Sequence, residues 1–399
     1  MTGSMYAAIA GLRTHMQNLN VIGHNIANVN TETYKSQRAI FETSIYSTTS
    51  GGSDGTEVVG GRNPSQIGYG SNLASVDIDM STGTYKVTGK PTDCMINGDG
   101  FFLTGDKTLA NNFTGEAGDV DLLTSLTLTR LGDIGFKSDG YLTNRNGEVV
   151  YGFMCTGVYA EGDQIPEGKK VGDPIFSDQL VPIRFPRVYT DTVTDNTTTP
   201  PTVTERTRIA YAVDPGEGGH LRDATATDML GEGGTLPEGQ SNELSFAQFT
   251  GITIDKATGL ITGTSNDTQQ VVTIGCLAVG QVTNPNGVTQ VGNSNYKAGP
   301  GSGELTISIL GGGASELGIS YVNASLRGED AGDDVARIDG LRIRGGGNTS
   351  LMTSGLESSK ADLAQEIANM IVTQRGYQAN TRIITVTDSM LEELVNMKR

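Results

Sequence analysis

Both ends of this 399-residue chain carry apolar residues at helical spacing, and the roughly 300 residues between them do not. Such spacing predicts one amphipathic helix at each end. A single long helix cannot bury its own stripe, so each stripe needs another helix, either the opposite end or a neighbouring copy. The apolar positions step by three or four near the N-terminus and by seven near the C-terminus: Met5, Ile9, Leu12, Met16, Leu19, Ile22 and Ile26, then Leu356, Leu363, Met370, Tyr377, Ile384 and Leu391.

The first helix is predicted over residues 3–29 and the second from about Gly355 onward. Ile367 of the second helix is followed at seven-residue spacing by Gln374, Thr381 and Asp388. A long two-stranded coiled coil would therefore carry polar residues at its seam. A mid-helix polar cluster instead suits a helix that touches several neighbours: Gln374, Arg375, Gln378, Asn380 and Arg382. The pattern alone leaves an intramolecular seam and an assembly surface both open.

The middle of the chain is rich in glycine. Glycine accounts for 55 of the 399 residues, roughly twice its usual share, and it is interspersed with Thr, Ser, Asn and Asp in a pattern typical of short strands and tight turns. An Asn146-Gly147 pair predicts a type I′ hairpin. Residues 47–72 and 190–203 are predicted to be loops, because the first is rich in Gly and Ser and the second contains Pro200-Pro201.

These patterns predict an α+β multidomain fold with paired, coiled-coil-like terminal helices and β-rich domains inserted between them in the sequence. Residues 1–35 and 355–399 are expected to form the helical domain, and residues 36–72 a connector. Residues 73–153 and 299–354 are expected to form an inner β domain, and residues 154–298 an outer one.

The charge balance restricts the partners. The formal net charge is −17, and almost all of it lies in the middle, so nucleic acid and anionic membranes would be repelled. No apolar run approaches the ~18 residues of a membrane span. The N-terminal stripe is interrupted by polar residues, so we expect neither membrane insertion nor a cleaved signal peptide.

No residue pattern indicates catalysis. Residues 51–55 match G-x-S-x-G, but polar loop flanks them instead of a strand and a helix. Three sparse cysteines form neither a disulfide framework nor a metal motif. The Asn-Gly-Asp-Gly segment at 97–100 and the acidic cluster at 329–334 lack the order of a calcium loop. The glycine clusters at 311–313 and 345–347 lack phosphate-binding spacing. We therefore predict no enzymatic activity, no cofactor and no metal.

Four segments in order resemble the axial rod and hook proteins of the bacterial flagellum. They read HNIANVNTETYKSQRAIF (24–41), INGDGFF (96–102), LTRLGDIGFKSDGYLTNRNGEVVYGF (128–153) and the stretch GLESSKADLAQEIANM…LEELVNM (355–397). Together they cover about a quarter of the chain. The family motif positions are Asn25, Asn28, Asn30, Thr31, Gly98, Gly100, Phe101, Gln374, Arg375, Gln378 and Asn380.

The large central insertion makes the chain resemble the hook branch of this family more than the rod branch. The resemblance implies a structural subunit that polymerises with itself into a curved helical tube, which acts as a universal joint and passes motor torque to the filament. It implies as partners the distal rod, the hook–filament junction proteins, the hook cap and the flagellar export apparatus, and a place in the hook outside the cell. A distal rod protein is the alternative within the family, and a secreted β-rich adhesin is the alternative outside it.

Two positions depart from the family pattern. Thr33 stands where the pattern has glycine, and Lys360 stands where it has asparagine. A residue other than glycine is costly at position 33 if the turn needs a positive φ, so we expect the local backbone at Thr33 to differ from that of the family.

Overall fold

The computed structural model describes residues 2–55, 60–108, 125–161, 170–195, 202–213, 221–230, 243–303, 305–310, 335–338, 341–345 and 349–397. The chain divides into two compact units. The helical unit comprises Met1–Met80 and Ser359–Arg399, and the β unit comprises Ser81–Ser358.

The helical unit contains the two long helices, α1 (Thr2–Ala27) and α3 (Leu363–Met397). Helix α1 stops where Asn28 turns back on it, since both its backbone N–H and its side-chain amide donate to the carbonyl of His24. Helix α3 begins after Asp362, whose carboxylate accepts the N–H groups of Ala364 and Gln365 as an N-cap. The predicted start near Gly355 was therefore wrong, and Leu356 of the seven-residue stripe lies in a strand instead.

Four strands complete the helical unit. The strands β1 (Gln37–Thr43) and β4 (Ser71–Ile78) pair antiparallel, and β2 (Tyr46–Ser50) pairs with β3 (Ser65–Gly68). Thr14 of α1 donates its hydroxyl to the carbonyl of Ser71, which fixes the sheet against the helix. The predicted loop over 47–72 was wrong for these strands, because backbone pairing satisfies the polar segment without apolar anchors.

Among the described residues, the β unit holds the remaining strands, one short α-helix, α2 (Ala226–Leu230), and one 3-10 helix at Pro285–Gly287. Within the described residues, fourteen strands join one sheet: β7 (Phe101–Gly105), β8 (Thr127–Thr129), β9 (Ile134–Phe136), β10 (Leu142–Asn144), β11 (Val149–Val158), β12 (Pro174–Pro182), β16 (Phe249–Ile254), β17 (Leu260–Ser265), β18 (Val271–Val282), β19 (Thr289–Gly292), β20 (Asn295–Lys297), β21 (Leu305–Ile309), β22 (Val335–Ile338) and β23 (Leu341–Gly345). Its main path runs β19-β20-β8-β7-β11-β18-β21-β23-β22, and only β21 and β23 pair in parallel among these strands.

Three smaller sheets complete the β unit. A three-stranded sheet joins β14 (Thr202–Ala210), β13 (Arg187–Asp195) and β15 (Ser245–Phe246), and two ribbons join β6 (Cys94–Asn97) to β24 (Ser350–Thr353) and β5 (Tyr85–Val87) to β25 (Gly355–Glu357). Strands β13 and β14 occupy 190–195 and 202–203 of the predicted Thr- and Pro-rich loop, so that prediction was wrong there. Alternating Thr and Val suit a paired strand, and residues 196–201 lie outside the described residues.

The main sheet carries the core of the β unit. Its buried side chains are mostly aliphatic, among them Val150, Leu277 and Val279, and Phe102 and Ile183 belong to the same core cluster. The predicted hairpin at Asn146-Gly147 is present between β10 and β11, but its turn is not type I′. Of the two residues only Gly147 has a positive φ, 85°, and its N–H donates to the carbonyl of Asn144 as in a three-residue loop.

Two helices at the ends and a β-rich middle confirm the α+β prediction. The four-part division into domains remains a prediction, as does a coiled-coil geometry for the helix pair.

Candidate assembly surface of the terminal helices

Helices α1 and α3 lie antiparallel in one register. Asn25 near the end of α1 bonds Glu366 at the start of α3, with 2.8 Å between Nδ2 and Oε1. One heptad further along, Asn18 donates from Nδ2 to Oγ1 of Thr373 at 3.0 Å. Because seven residues back along α1 correspond to seven residues forward along α3, these hydrogen bonds fix both the antiparallel direction and the register of the two helices.

Two glycines bring the helices close together. A Cβ on Gly11 of α1 would lie 2.6 Å from Nδ2 of Asn380, and a Cβ on Gly376 of α3 would lie 2.7 Å from the imidazole of His15. Each helix therefore inserts one side chain where the other has none. Asn380, one of the family motif residues, thus has a packing role inside the chain.

The seam between the helices is small and polar. On α1 the buried residues include Ala8, Thr14 and Asn25, with Ile22 as an apolar member. The buried side chains of α3 all carry oxygen: Glu366, Thr373 and Thr387. The seam thus has few large apolar contacts, the usual source of stability between helices.

The predicted stripe on α1 is only partly covered within the chain. Ile22 is buried, Met16 is 52% exposed, and the remaining members are half-buried: Met5, Ile9, Leu12, Leu19 and Ile26. Ile9 lines an open groove of about 910 Å³ between α1 and the strands, with Tyr6, Arg13 and Leu73.

The predicted stripe on α3 is more open still. Met370 and Ile384 are half-buried. The other helical members are exposed: Leu363, Ile367, Tyr377 and Leu391. Leu356 is buried in β25 and belongs to the β unit.

A second apolar stripe on α3 was missed by the sequence analysis. Its members are exposed and recur mostly at three- or four-residue spacing: Val372, Ile383, Val386, Met390, Leu394 and Met397. We call this set the outer stripe. This three- and four-residue spacing is present in the sequence, but the seven-residue spacing through Met370 predicts a different face of the helix. Large apolar side chains in such a row are costly to leave in water, which makes the outer stripe a candidate contact surface.

The motif residue Asn25 is buried and uses every hydrogen-bonding position of its amide. Nδ2 donates to the carbonyl of Gln37 and to Glu366, both at 2.8 Å. Oδ1 accepts from the N–H of Gln37 and from the hydroxyl of Tyr34, both at 2.9 Å. His24 contacts the same hydroxyl at 2.8 Å. Asn25 thereby joins α1, β1 and α3.

The other motif residues near Asn25 shape the turn after α1. Thr31 donates from its backbone N–H and its hydroxyl to Asn28, and Asn30 is exposed. Thr33 is buried and adopts a φ of 61°, so the turn has a positive φ even though threonine stands in place of glycine. At the second departure, the N–H of Lys360 donates to the carbonyl of Tyr34 at 2.9 Å, a bond that any non-proline residue could make.

On α3 the motif residues Gln374, Arg375 and Gln378 are exposed. Unlike Asn380, they do not take part in the seam between α3 and α1.

The glycine motif of the β unit forms a tight turn. Gly98 and Gly100 have φ of 111° and 137°, which other residues rarely adopt. A Cβ on Gly100 would lie 2.4 Å from Cγ1 of Val279. Phe101 follows as a fully buried residue at the start of β7. This motif is structural and lies in the β unit, apart from the helical stripes.

The described residues offer little for chemistry. No group of three or more His, Cys, Asp and Glu side chains among them is arranged to hold a metal. Burial raises the pKa of the Cys155 thiol to about 11 and that of Cys276 to about 12, and it raises the pKa of Cys94 still further. These free thiols are therefore protonated and weakly nucleophilic at neutral pH. His220 and the clusters at 311–313 and 329–334 lie outside the described residues. No described helix is long and apolar enough to cross a membrane.

Sequence models of two families match the ends of the chain. The family described as flagella basal body rod protein matches residues 5–35, and the one described as flagellar basal body rod FlgEFG protein C-terminal matches residues 353–397. These segments contain most of α1 and its closing turn, and all of β25 and α3.

Relatives match over the full length. The chain is 27% identical to the flagellar hook protein FlgE of Borreliella burgdorferi and 27% identical to the flagellar basal-body rod protein FlgG of Bacillus subtilis, with both chains covered completely in each comparison. It is 25% identical to the hook protein FlgE of Salmonella typhimurium, over 99% of this chain and 100% of that one. Matching ends, motifs in order and full-length relatives agree, and the chain is a member of the bacterial flagellar rod and hook protein family.

Proposed function

We propose that this chain is the structural subunit of a flagellar hook. In this proposal, copies polymerise into a curved helical tube that acts as a universal joint between motor and filament. The observation that carries the proposal is the helical unit, which leaves two apolar stripes of α3 and much of the α1 stripe uncovered in a single chain. Hook-named relatives of full length support the hook over other members of the family.

The stripes are proposed to meet the helices of neighbouring copies. The small, polar seam fixes the pairing of α1 with α3 inside one chain, while the larger apolar side chains point elsewhere. Burying a Leu, Ile, Val or Met side chain gains roughly 1.5–3 kcal/mol, so several per subunit would outweigh the entropy cost of ordering a subunit in a polymer. The mid-helix polar residues Gln374, Arg375 and Gln378 suit wet contacts between such helices.

The β unit is proposed to form the outer part of the tube. It carries most of the acidic charge, which favours hydrated contacts that can separate and re-form as the tube bends. The domain boundaries, the coiled-coil-like pairing, and the partners at the rod, junction, cap and export apparatus belong to this proposal. So do export without a cleaved signal peptide and a place outside the cell.

The rod protein is the second candidate, and the full-length match to the Bacillus subtilis rod protein favours it. A rod would be straight and rigid. A secreted adhesin would remain monomeric and bind a glycan or a host protein.

Electron microscopy of the purified full-length chain at polymerising concentrations separates these functions. We expect curved or supercoiled tubes. Straight tubes would favour the rod, and a monomer under all conditions would contradict both.

Leu363→Glu and Ile384→Glu should abolish tubes and leave the β unit folded, because each would place a charge in an apolar contact. Tubes of normal stability from both variants would refute the assignment of that stripe.

A further inference from the structure

The β unit is entered and left through one short ribbon. It begins at Ser81 and ends at Ser358, and its first and last strands, β5 and β25, pair antiparallel with Glu357 opposite Tyr85. The ladder continues on both sides, because Ser358 donates its N–H to the carbonyl of Thr84 and Thr88 donates to that of Ser354. A force applied through either end of the chain therefore reaches the β unit at this ribbon.

The ribbon is held unusually close. A Cβ on Gly355 would lie 2.4 Å from the ring of Tyr85, and a Cβ on Gly83 would lie 2.6 Å from the carbonyl oxygen of Ser358. The hydroxyl of Tyr85 donates to the carbonyl of Thr353 at 2.7 Å. Both ends of the ribbon thus require glycine, and the close approach of the two strands opposes a shift in their register.

The buried carboxylate of Glu357, on the ribbon, faces the buried guanidinium of Arg130, which lies outside the ribbon. Glu357 is 1% exposed, and its Oε1 accepts the N–H of Gly83 at 2.5 Å. Nη1 of Arg130 lies 3.8 Å from the same oxygen, and the Arg130 side chain is 2% exposed. Arg130 follows β8 of the main sheet, donates from Nη2 to the carbonyl of Gly98 at 2.8 Å, and lies over the ring of Phe101.

Buried charges of this kind fix position more than they add stability. Removing two ions from water is costly, and a well-packed apolar pair would be as stable. The arrangement does supply a directional link. Loss of either partner leaves the other charge uncompensated, so the ribbon cannot leave its place without a large penalty.

We propose that Arg130 and Glu357 form a lock that holds the β5–β25 ribbon to the main sheet, so that the β unit follows a force on the chain ends as one body. The use of this lock in torque transfer rests on the proposed function, whereas the lock itself is a property of the single chain. The same contact explains why three separate family motifs, which contain Gly98, Arg130 and Glu357, meet at one point.

Hydrogen exchange on the full-length purified chain tests the lock. Glu357→Gln keeps the side-chain volume and the acceptor for Gly83 and removes only the charge, and Arg130→Met removes the base. In both variants we expect peptides covering 81–90 and 354–358 to exchange at least about tenfold faster, while the β17–β18 hairpin keeps its rate. Arg145→Met is the matched control, since it breaks an exposed pair with Asp133 in the same unit.

Unchanged exchange in the ribbon, or equal acceleration throughout the β unit, would overturn the proposal. If Arg130→Met does not fold, Glu357→Gln alone decides. As a second readout, the full chain is pulled from its two ends in an optical trap. We expect the β unit to open at lower force in Glu357→Gln than in Arg145→Met, and equal forces would refute the lock. Neither readout needs tubes, so a failure of the hook proposal would be seen separately.

Discussion

At the scale of single residues, Asn25 shows why the motif near the N-terminus needs an amide. The side chain donates twice and accepts twice at a buried site. Aspartate could accept but not donate, and would repel Glu366. Serine could not reach all four partners. The residue therefore links three segments that are far apart in sequence.

We predict that Asn25→Ala lowers the free energy of unfolding of the helical unit by about 3 kcal/mol. Several buried polar groups would lose their partner, and each such loss costs ~1–3 kcal/mol. Denaturant unfolding followed by helical circular dichroism measures this. Asn28→Ala is the control in the same motif. It removes a side-chain bond at a more exposed helix end and should cost under about 1 kcal/mol. Equal costs for the two variants would contradict the role of Asn25.

Thr33 offers a second residue-scale prediction. A side chain with a Cβ costs roughly 1–2 kcal/mol in the left-handed region, where Thr33 lies. Thr33→Gly should therefore be more stable than Thr33→Ala by about 1 kcal/mol, although both lose the hydroxyl. The same unfolding measurement compares them. If alanine proved equal or better, the positive φ would not be the constraint at this position.

At the scale of elements, α3 divides its faces between two tasks. The face towards α1 carries Glu366, Thr373 and Thr387, and the outer stripe carries larger apolar side chains that remain 43–81% exposed. A helix that was stabilised only within its own chain would show the reverse pattern. The division supports the proposal that the seam sets the register of the two helices and the outer stripe contacts other copies.

We predict that Val386→Glu and Met390→Glu each block polymerisation and leave the monomer unchanged. Both side chains are about half exposed, 53% and 52%, so a charge costs little in the monomer and several kcal/mol in an apolar contact. Sedimentation of polymer, with circular dichroism of the monomer, measures the effect. Ser389→Glu places the same charge on another face of the same turn and should polymerise normally. Normal polymers from the two stripe variants would show that the outer stripe is not an interface.

The three-stranded sheet of the β unit supports a prediction about pH. Asp223 is desolvated, which favours its neutral form, but Arg184 and Arg187 outweigh this and hold the pKa of the carboxyl below its usual value. A lowered folded-state pKa means stability that is present above about pH 4 and lost as the pH falls further. Asp223→Asn should reduce this loss in acid unfolding experiments. A variant that lost stability as steeply as the parent would place the acid sensitivity elsewhere.

At the scale of the whole molecule, local periodicity predicted α1 to within two residues at each end. It failed at Leu356, which is in phase with the heptad but pairs with Lys86 in a ribbon. Long-range pairing of this kind leaves no local signal. Similarly, the polar stretches around β2, β3, β13 and β14 read as loops, because backbone ladders can form without an apolar pattern.

The candidate assembly surface could be predicted only in part from the sequence. Apolar spacing reports which faces avoid water, but not whether the covering surface belongs to the same chain. The residues that fix the intramolecular seam were Gly11, Gly376 and Asn18, which hydrophobic patterns ignore. The resemblance to flagellar axial proteins supplied the assembly context that spacing could not.

The most direct test of the hook proposal is deletion of the gene, followed by electron microscopy of detergent-extracted basal bodies. We predict complete rods without hooks, and restoration of hooks by the wild-type gene. Truncated rods would assign the chain to the rod. Intact flagella in the deletion strain would contradict the account, because a structural subunit of the hook cannot be dispensable for building one.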